Sequence, residues 1–260
     1  MIKLKNPQLA ADLFSGWEET IIWTCLQGEM GEIWADRTEN PHSALALFGK
    51  FGSFGFLAGQ ANLDFIEHCR GKDVIFVPQD QAWVDLIEEH YGDSAKAFTR
   101  YATKKDTIFD REKLEKILAT LPAENELKLI DEKLYEVCLS EPWSQDLVGN
   151  YDNYDHYVKA GLGVAILYED QLISAASSFS SYDIGYEIEI DTHKDFRRKG
   201  LATIVAAKFI IESLNRDHYP SWDAHNQASL ALAQQLGYEF SHEYLAYEMK
   251  WKCHQEPKKI

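Results

Sequence analysis

The chain has 260 residues, 45% of them hydrophobic and 26% charged, an ordinary globular composition with material for one large or two ordinary domains. Its net charge of −16 argues against nucleic acid and anionic membranes as partners, because both attract basic surfaces. No run approaches the roughly 20 apolar residues of a membrane span, and the start MIKLKNPQLAADLF lacks a secretory apolar region, so a cytoplasmic protein is expected.

In chain order, Leu9, Leu13, Trp17, Ile21 and Cys25 recur at helical spacing and predict a helix beginning the stretch 7–27. Ile33-Trp34-Ala35 reads as a short strand. SALALFGKFGSFGFLAG, residues 43–59, reads as two apolar strands in a hairpin around Gly49–Gly52; its glycines do not fit G-x-x-x-x-G-K-[ST], so no phosphate loop is expected there. A short helix over 62–70 leads to the compact strand Val74–Val77, ended by Pro78. Asp80–Tyr91 is amphipathic and stopped by Gly92, 97–103 reads as a strand, and Asp110 caps a helix running to Leu121. This succession fits a compact α/β unit without a visible catalytic constellation.

Pro122 to Asn125 is the expected domain boundary, giving a smaller N-terminal α/β domain (1–121) and a second domain (122–260). The first segment holds 13 basic and 19 acidic residues (net −6), the second 13 and 23 (net −10). Residues 126–138 alternate in part and read as a strand. A stretch rich in Asn, Asp and Tyr follows from Pro142 to Gly161. Residues 163–168 and 172–179 form a hairpin, and strand 185–192 alternates Glu187, Ile188, Glu189, Ile190. A buried helix runs from Gly200 to about Asn215. Trp222-Asp223-Ala224 is the next strand, Asn226 caps a helix that Gly237 ends, and 238–252 supplies a last strand before a frayed tail. The four cysteines (Cys25, Cys69, Cys138, Cys253) show no C-x-x-C spacing, so buried thiols are expected, with neither a disulfide framework nor a metal site.

The informative stretch is Arg197-Arg198-Lys199-Gly200-Leu201-Ala202, between strand and helix. Cations at a helix N-terminus oppose its dipole, at about 0.3–1 kcal/mol each. A bound anion reverses that sign, since the first turn offers unpaired N–H groups that Gly200 and Ala202 leave open to close approach. A solvated basic turn is the alternative. The spacing Arg197-x-x-Gly200-x-Ala202, followed by Asn226-x-x-Ser229-x-x-Leu232 and Leu236-Gly237-Tyr238, resembles the GNAT superfamily of acyl-CoA-dependent N-acetyltransferases over about 122–252. The pairing of EIEIDTH with RRKGLAT behind a long N-terminal region looks like its zwittermicin-resistance type.

That resemblance implies an α+β fold with a mixed, mostly antiparallel sheet flanked by helices. It implies acetyl-CoA as acyl donor, without a metal, and acetyl transfer to a primary amine of a small molecule, an amine antibiotic among the options, by direct attack in a ternary complex. By the same resemblance, main-chain groups of Ile190, Asp191 and Thr192 pair with the pantetheine arm. Amides from Arg198 through Lys199, Gly200, Leu201 and Ala202 to Thr203 hold the pyrophosphate, Arg197 fixes the turn, and Asn226 and Ser229 lie near the thiol. The segment over the acceptor makes Trp143 and Tyr154, with Tyr151 and His156, wall candidates. Amine attack calls for a general base. Alternation puts Glu187 and Glu189 on one face, with Glu189 preferred, although a bulge typical of the superfamily reverses direction locally and counting back from Gly200 points Tyr186 and Ile188 inward. The tyrosine that many members carry to protonate the thiolate is Ala233 here, which keeps a non-catalytic acyl-CoA sensor as the alternative. A homodimer is left open.

Overall fold

Strands that are apolar at almost every position need cover on both faces, and this requirement sets the layering. The computed structural model describes residues 1–50 and 53–250. Among these, eight strands form one sheet in the order β1 (Ile2–Lys3), β2 (Glu32–Ala35), β3 (Ser43–Phe48), β4 (Ser53–Gly59), β5 (Val74–Pro78), β13 (Phe240–Met249), β6 (Ala95–Thr103) and β12 (Asp223–Ala224). Five form a second sheet, ordered β11 (Tyr219–Ser221), β10 (Gly185–Thr192), β9 (Gln171–Tyr182), β8 (Gly163–Tyr168) and β7 (Asn125–Leu129). Neighbours are antiparallel except β4 with β5 and β10 with β11. Those parallel pairs need crossovers, supplied by helices α2 (Leu63–Glu67) and α7 (Leu201–Leu214).

Alternation along each strand divides the apolar residues between layers. Ala44, Ala46, Phe48, Phe54 and Phe56 of the first sheet and Ala165, Leu167, Ala175 and Phe179 of the second share a central core with α1 (Thr20–Gln27), α5 (Glu132–Ser140) and α6 (Tyr154–Ala160). The outward residues Leu45, Leu57 and Phe76 pack under α2 and α3 (Gln81–Tyr91), with Trp83 fully buried. On the far side Val164, Ile166, Tyr186 and Ile188 meet α7, α8 (Gln227–Leu236) and Leu114 of α4 (Arg111–Leu118).

Capping follows the sequence. Asp80, Asp110 and Asn226 accept from Trp83 N, Lys113 N and Ser229 N respectively. Two expectations are corrected. Pro7–Phe14 is a 3-10 helix separate from α1, the break coming at Gly16 in the left-handed region (φ 80°), and Leu9 is 43% exposed rather than inward. The strand expected over 126–138 ends at Leu129. Asp131 accepts from Leu134 N and starts α5, which buries Leu134, Tyr135 and Cys138 at helical spacing. Cys25, Cys69 and Cys138 are buried free thiols. The turn at 51–52, the tail from 253 onward with Cys253, and the end of the last strand at 251–252 lie outside the described residues.

Pro122 to Asn125 is where the chain first passes from the eight-stranded to the five-stranded sheet, and β12 and β13 later return to the first. The order of three antiparallel strands, crossover helix, parallel strand, helix and last strand occurs twice, in β2–β6 and in β8–β13. The two passes differ at one joint. β4 and β5 stay paired from Ser53/Val74 to Leu57/Pro78, whereas β10 and β11 pair only from Gly185/Tyr219 to Glu187/Ser221. That short junction depends on Gly185: a Cβ there would lie 2.4 Å from both the Tyr182 hydroxyl and the Tyr219 carbonyl oxygen. Gly185→Val is expected to force β11 away and to cost about 2 kcal/mol, read as a lower urea midpoint.

Candidate active site

Beyond Glu187 and Ser221 the paired strands part. The next residue, Trp222, is buried against Tyr238, and its carbonyl accepts from Thr103 Oγ1 at 2.6 Å; Asp223 and Ala224 then pair with Ala102 and Tyr101 of β6. The Asp223 carboxylate is held by Arg100 (2.7 Å) and by the Tyr244 hydroxyl (2.8 Å), and the Arg100 guanidinium lies 4.9 Å from the Phe54 ring centroid. From Ile188 to Thr192, β10 therefore has β9 on one side and, among the described residues, no strand on the other. The gap opens into a cleft of about 820 Å³ lined by residues from both sheets.

At one end of the cleft is the turn into α7. Arg198 and Gly200 lie in the left-handed region (φ 63° and 78°), and Gly200 caps the helix with no side-chain hydrogen bond. Thr203 N and Ile204 N bond back to Gly200 O, while the amides of Arg198, Lys199, Gly200, Leu201 and Ala202 have no hydrogen-bond partner among the described residues. A Cβ on Gly200 would meet nothing within 4 Å, so the space before these amides is open. Arg197 donates from Nε to Thr192 O at 3.0 Å, tying the turn to the end of β10. Lys199 Nζ sits 4.7 Å from the Phe196 ring centroid. Five undirected donors at a helix start, with basic side chains around them, form an anion-binding mouth, and the residues present fit the diphosphate of an acyl-CoA. Opposite, Asn226 is engaged in capping α8, and Ser229 Oγ accepts from Trp222 Nε1 at 3.1 Å; both line the cleft.

The alternation of β10 is preserved. A register shift does fall between Glu187 and Ile188, but the unpaired residue is Phe179 on β9, so β10 keeps its period. Tyr186 and Ile188 pack under α7, and Glu187 and Glu189 face the other way. Glu187 is 4% exposed; its Oε2 accepts from Thr20 Oγ1, and its Oε1 is buried with no partner. Burial, then the charges of Asp191 and Asp146, push the Glu189 carboxyl up to about 8. Burial and Asp146 also push Asp191 up, to about 6, against the pull of Arg197. Burial and Asp73 raise Asp146 in turn.

Trp143 and Tyr154 do not line the cleft. Trp143 meets His193 edge-on (5.5 Å between ring centroids), and Tyr154 packs on Tyr135 in the central core. Tyr151 is buried and bonded to Ser178 and Ser181 at 2.6 Å each, and His156 stands beside Asp152. The cleft is walled instead by Ile21, Phe54, Ile75, Phe179, Asp73 and Asp146. Four of these six precede residue 122, two of them in strands of the first sheet, and no local motif marks them; a charged Arg100 inside a strand bordered by buried Ala102 and Thr103 was the one available signal.

A parted strand pair with a bare helix start at its mouth is the arrangement of the N-acetyltransferase fold. The model of the GNAT acetyltransferase family matches residues 11–247, and the chain belongs to that family. It is similar to a GCN5-related N-acetyltransferase-like protein from Streptococcus suis 89/1591, at 53% identity over 95% of this chain and 99% of that one (TM-score 0.92). It is 26% identical over 231 residues to the uncharacterized N-acetyltransferase YdfB of Bacillus subtilis (strain 168), covering 84% of this chain and 85% of the relative. A GCN5-related N-acetyltransferase from Kribbella flavida shares the fold at 12% identity (TM-score 0.57, 95% and 96% covered). The chain is thus an acyltransferase of a family that generally uses acetyl-CoA. Among the described residues no group of three or more His, Cys, Asp and Glu is placed to hold a metal, and no helix is long and apolar enough to cross a membrane.

If the Arg100–Asp223 pair holds the strands apart, breaking it from one side should be costly. Arg100→Met is expected to lose about 3–5 kcal/mol by leaving a buried carboxylate uncompensated, and Arg100→Met with Asp223→Leu to lose less; urea unfolding of both variants decides.

Proposed function

We propose that the protein transfers the acetyl group of acetyl-CoA to a primary amine of a small molecule, by direct attack while both are bound. The observation that carries this reading is the row of unbonded amides from Arg198 to Ala202 beside the unpaired edge of β10. The first would take the diphosphate. Main-chain groups of Ile190, Asp191 and Thr192 would take the pantetheine as an added strand, although the Asp191 and Thr192 carbonyls already accept from Ser174 Oγ and Arg197 Nε. Acetyl-CoA supplies an activated acyl carbon; the chain's own residues supply position and proton transfer.

Glu189 is the base this geometry favours. It shares a face with Glu187 but borders the open part of β10, and a carboxyl near 8 is well matched to take a proton from an ammonium near neutral pH. Glu187 is engaged by Thr20 and is better suited to shaping the floor. Ala233 is fully buried and offers no hydroxyl. Ser229, which accepts from Trp222, keeps its own proton to donate into the cleft near the site of the thiol.

The direct test mixes the protein with acetyl-CoA and a panel of amines, including amino-sugar and aminopolyol antibiotics, and follows thiol release. Gly200→Asp adds bulk, charge and left-handed strain at the mouth, and is expected to abolish CoA binding by calorimetry; unchanged affinity would remove the site. Glu189→Gln should lower kcat by roughly 10²- to 10⁴-fold with CoA affinity intact. The pH dependence has a definite sign. The base form of Glu189 exists above its raised value, so kcat should rise as pH rises through about 8, and the glutamine variant should lose that limb.

A further inference from the structure

Four carboxylates, Asp73, Asp146, Glu187 and Glu189, line the same cleft, and none of them forms an ion pair among the described residues. The two arginines of the cleft are committed elsewhere: Arg100 to Asp223, and Arg197 to the Thr192 carbonyl. The sharpest sign of a missing partner is Glu187 Oε1, on a residue only 4% exposed, which has no well-formed hydrogen bond among the described residues, although the Asp223 amide and the Lys105 charge act on the carboxyl group. A carboxylate oxygen shut from water without a donor costs free energy that a bound ammonium would recover. Ile21, Phe54, Ile75 and Phe179 border the same space and offer apolar surface on which methylene groups can lie.

We propose that the acceptor is an aliphatic di- or polyamine, with one nitrogen attacking beside Glu189 and a second, protonated nitrogen held by the remaining acids. This rests on the transferase reading above. An attacking amine has to give up its proton, so it cannot also neutralise the cluster. A monoamine would leave Asp73 and Asp146 beside each other with no ion-pair partner, and Glu187 Oε1 without a donor, during transfer. A second ammonium joined by a methylene stem satisfies both the acids and the apolar wall. Charge selection of this kind comes from the cleft and not from the surface field, since hydrogen bonds to ionised groups are short and about twice as strong as neutral ones.

The test compares pentylamine with 1,5-diaminopentane, both protonated at neutral pH, by calorimetric titration into protein saturated with CoA, where no turnover occurs. The diamine is expected to bind at least about tenfold tighter, the size of one charge-assisted hydrogen bond, and its kcat/KM with acetyl-CoA to lead by a similar factor. Asp146→Asn and Asp73→Asn should each shrink the ratio of the two affinities; the second variant serves if the first fails to fold. Equal affinity for the two amines, or a preference that neither substitution reduces, overturns the proposal and leaves acetyl transfer to amines standing. Failure of CoA itself to bind overturns the transferase reading, and this proposal with it.

Discussion

The site exists because one strand changes sheets. Ser221 ends its partnership with β10, and two residues later Asp223 is part of β6's sheet. What holds it there is an ion pair with 9% and 10% side-chain exposure, Arg100 with Asp223, backed by the Tyr244 hydroxyl and by Thr103 gripping the Trp222 carbonyl. Take those anchors away and nothing visible in the sheet keeps β12 from continuing alongside β10, as β5 continues alongside β4 in the first pass of the same topology. Every ligand in the anchor other than Asp223 and Tyr244 comes from β6, so the first part of the chain helps to hold the cleft open and supplies part of its wall.

The same exchange gives a strongly acidic protein one end suited to a polyanion. Basic groups crowd the Arg197–Lys199 turn, while Arg100 is paired with Asp223, and the amides behind the turn offer binding that does not depend on net charge. Acids gather along β10 and opposite it, where burial, then Asp191 and Asp146, raise Glu189. The two ends of one cleft thus carry opposite preferences, and strand β10 runs between them.

Local chemistry made much of this legible from sequence. Caps at Asp80, Asp110 and Asn226, the crossover helix after β10 and the open mouth at Gly200 were all readable, because each is settled within four or five residues. Asp131 was missed as a cap because the partial alternation of ELKLI ran into it, although Leu134, Tyr135 and Cys138 already carried helical spacing. The cleft's walls were not readable. Phe54, Asp73, Arg100 and Asp146 belong to separate elements: the β4–β5 pairing sets Phe54 near Asp73, β13 brings β6 with Arg100 into the same sheet, and Asp146 arrives from the segment before β8. The aromatic segment 143–157 drew attention to the wrong wall, since Tyr151 and Tyr157 spend their hydroxyls on the buried serines of β9.

The place of β13 has a consequence for how the molecule is made. Residues 240–249 fill the slot between β5 and β6, more than 130 positions after β6 has been translated. Until they emerge from the ribosome, two strand edges of the first sheet stand open, a state in which intermolecular pairing competes with folding. Completion of the eight-stranded sheet and arrival of the Tyr244 hydroxyl that holds Asp223 are therefore a single late event, so a nascent chain completes its cleft and loses its exposed edges together.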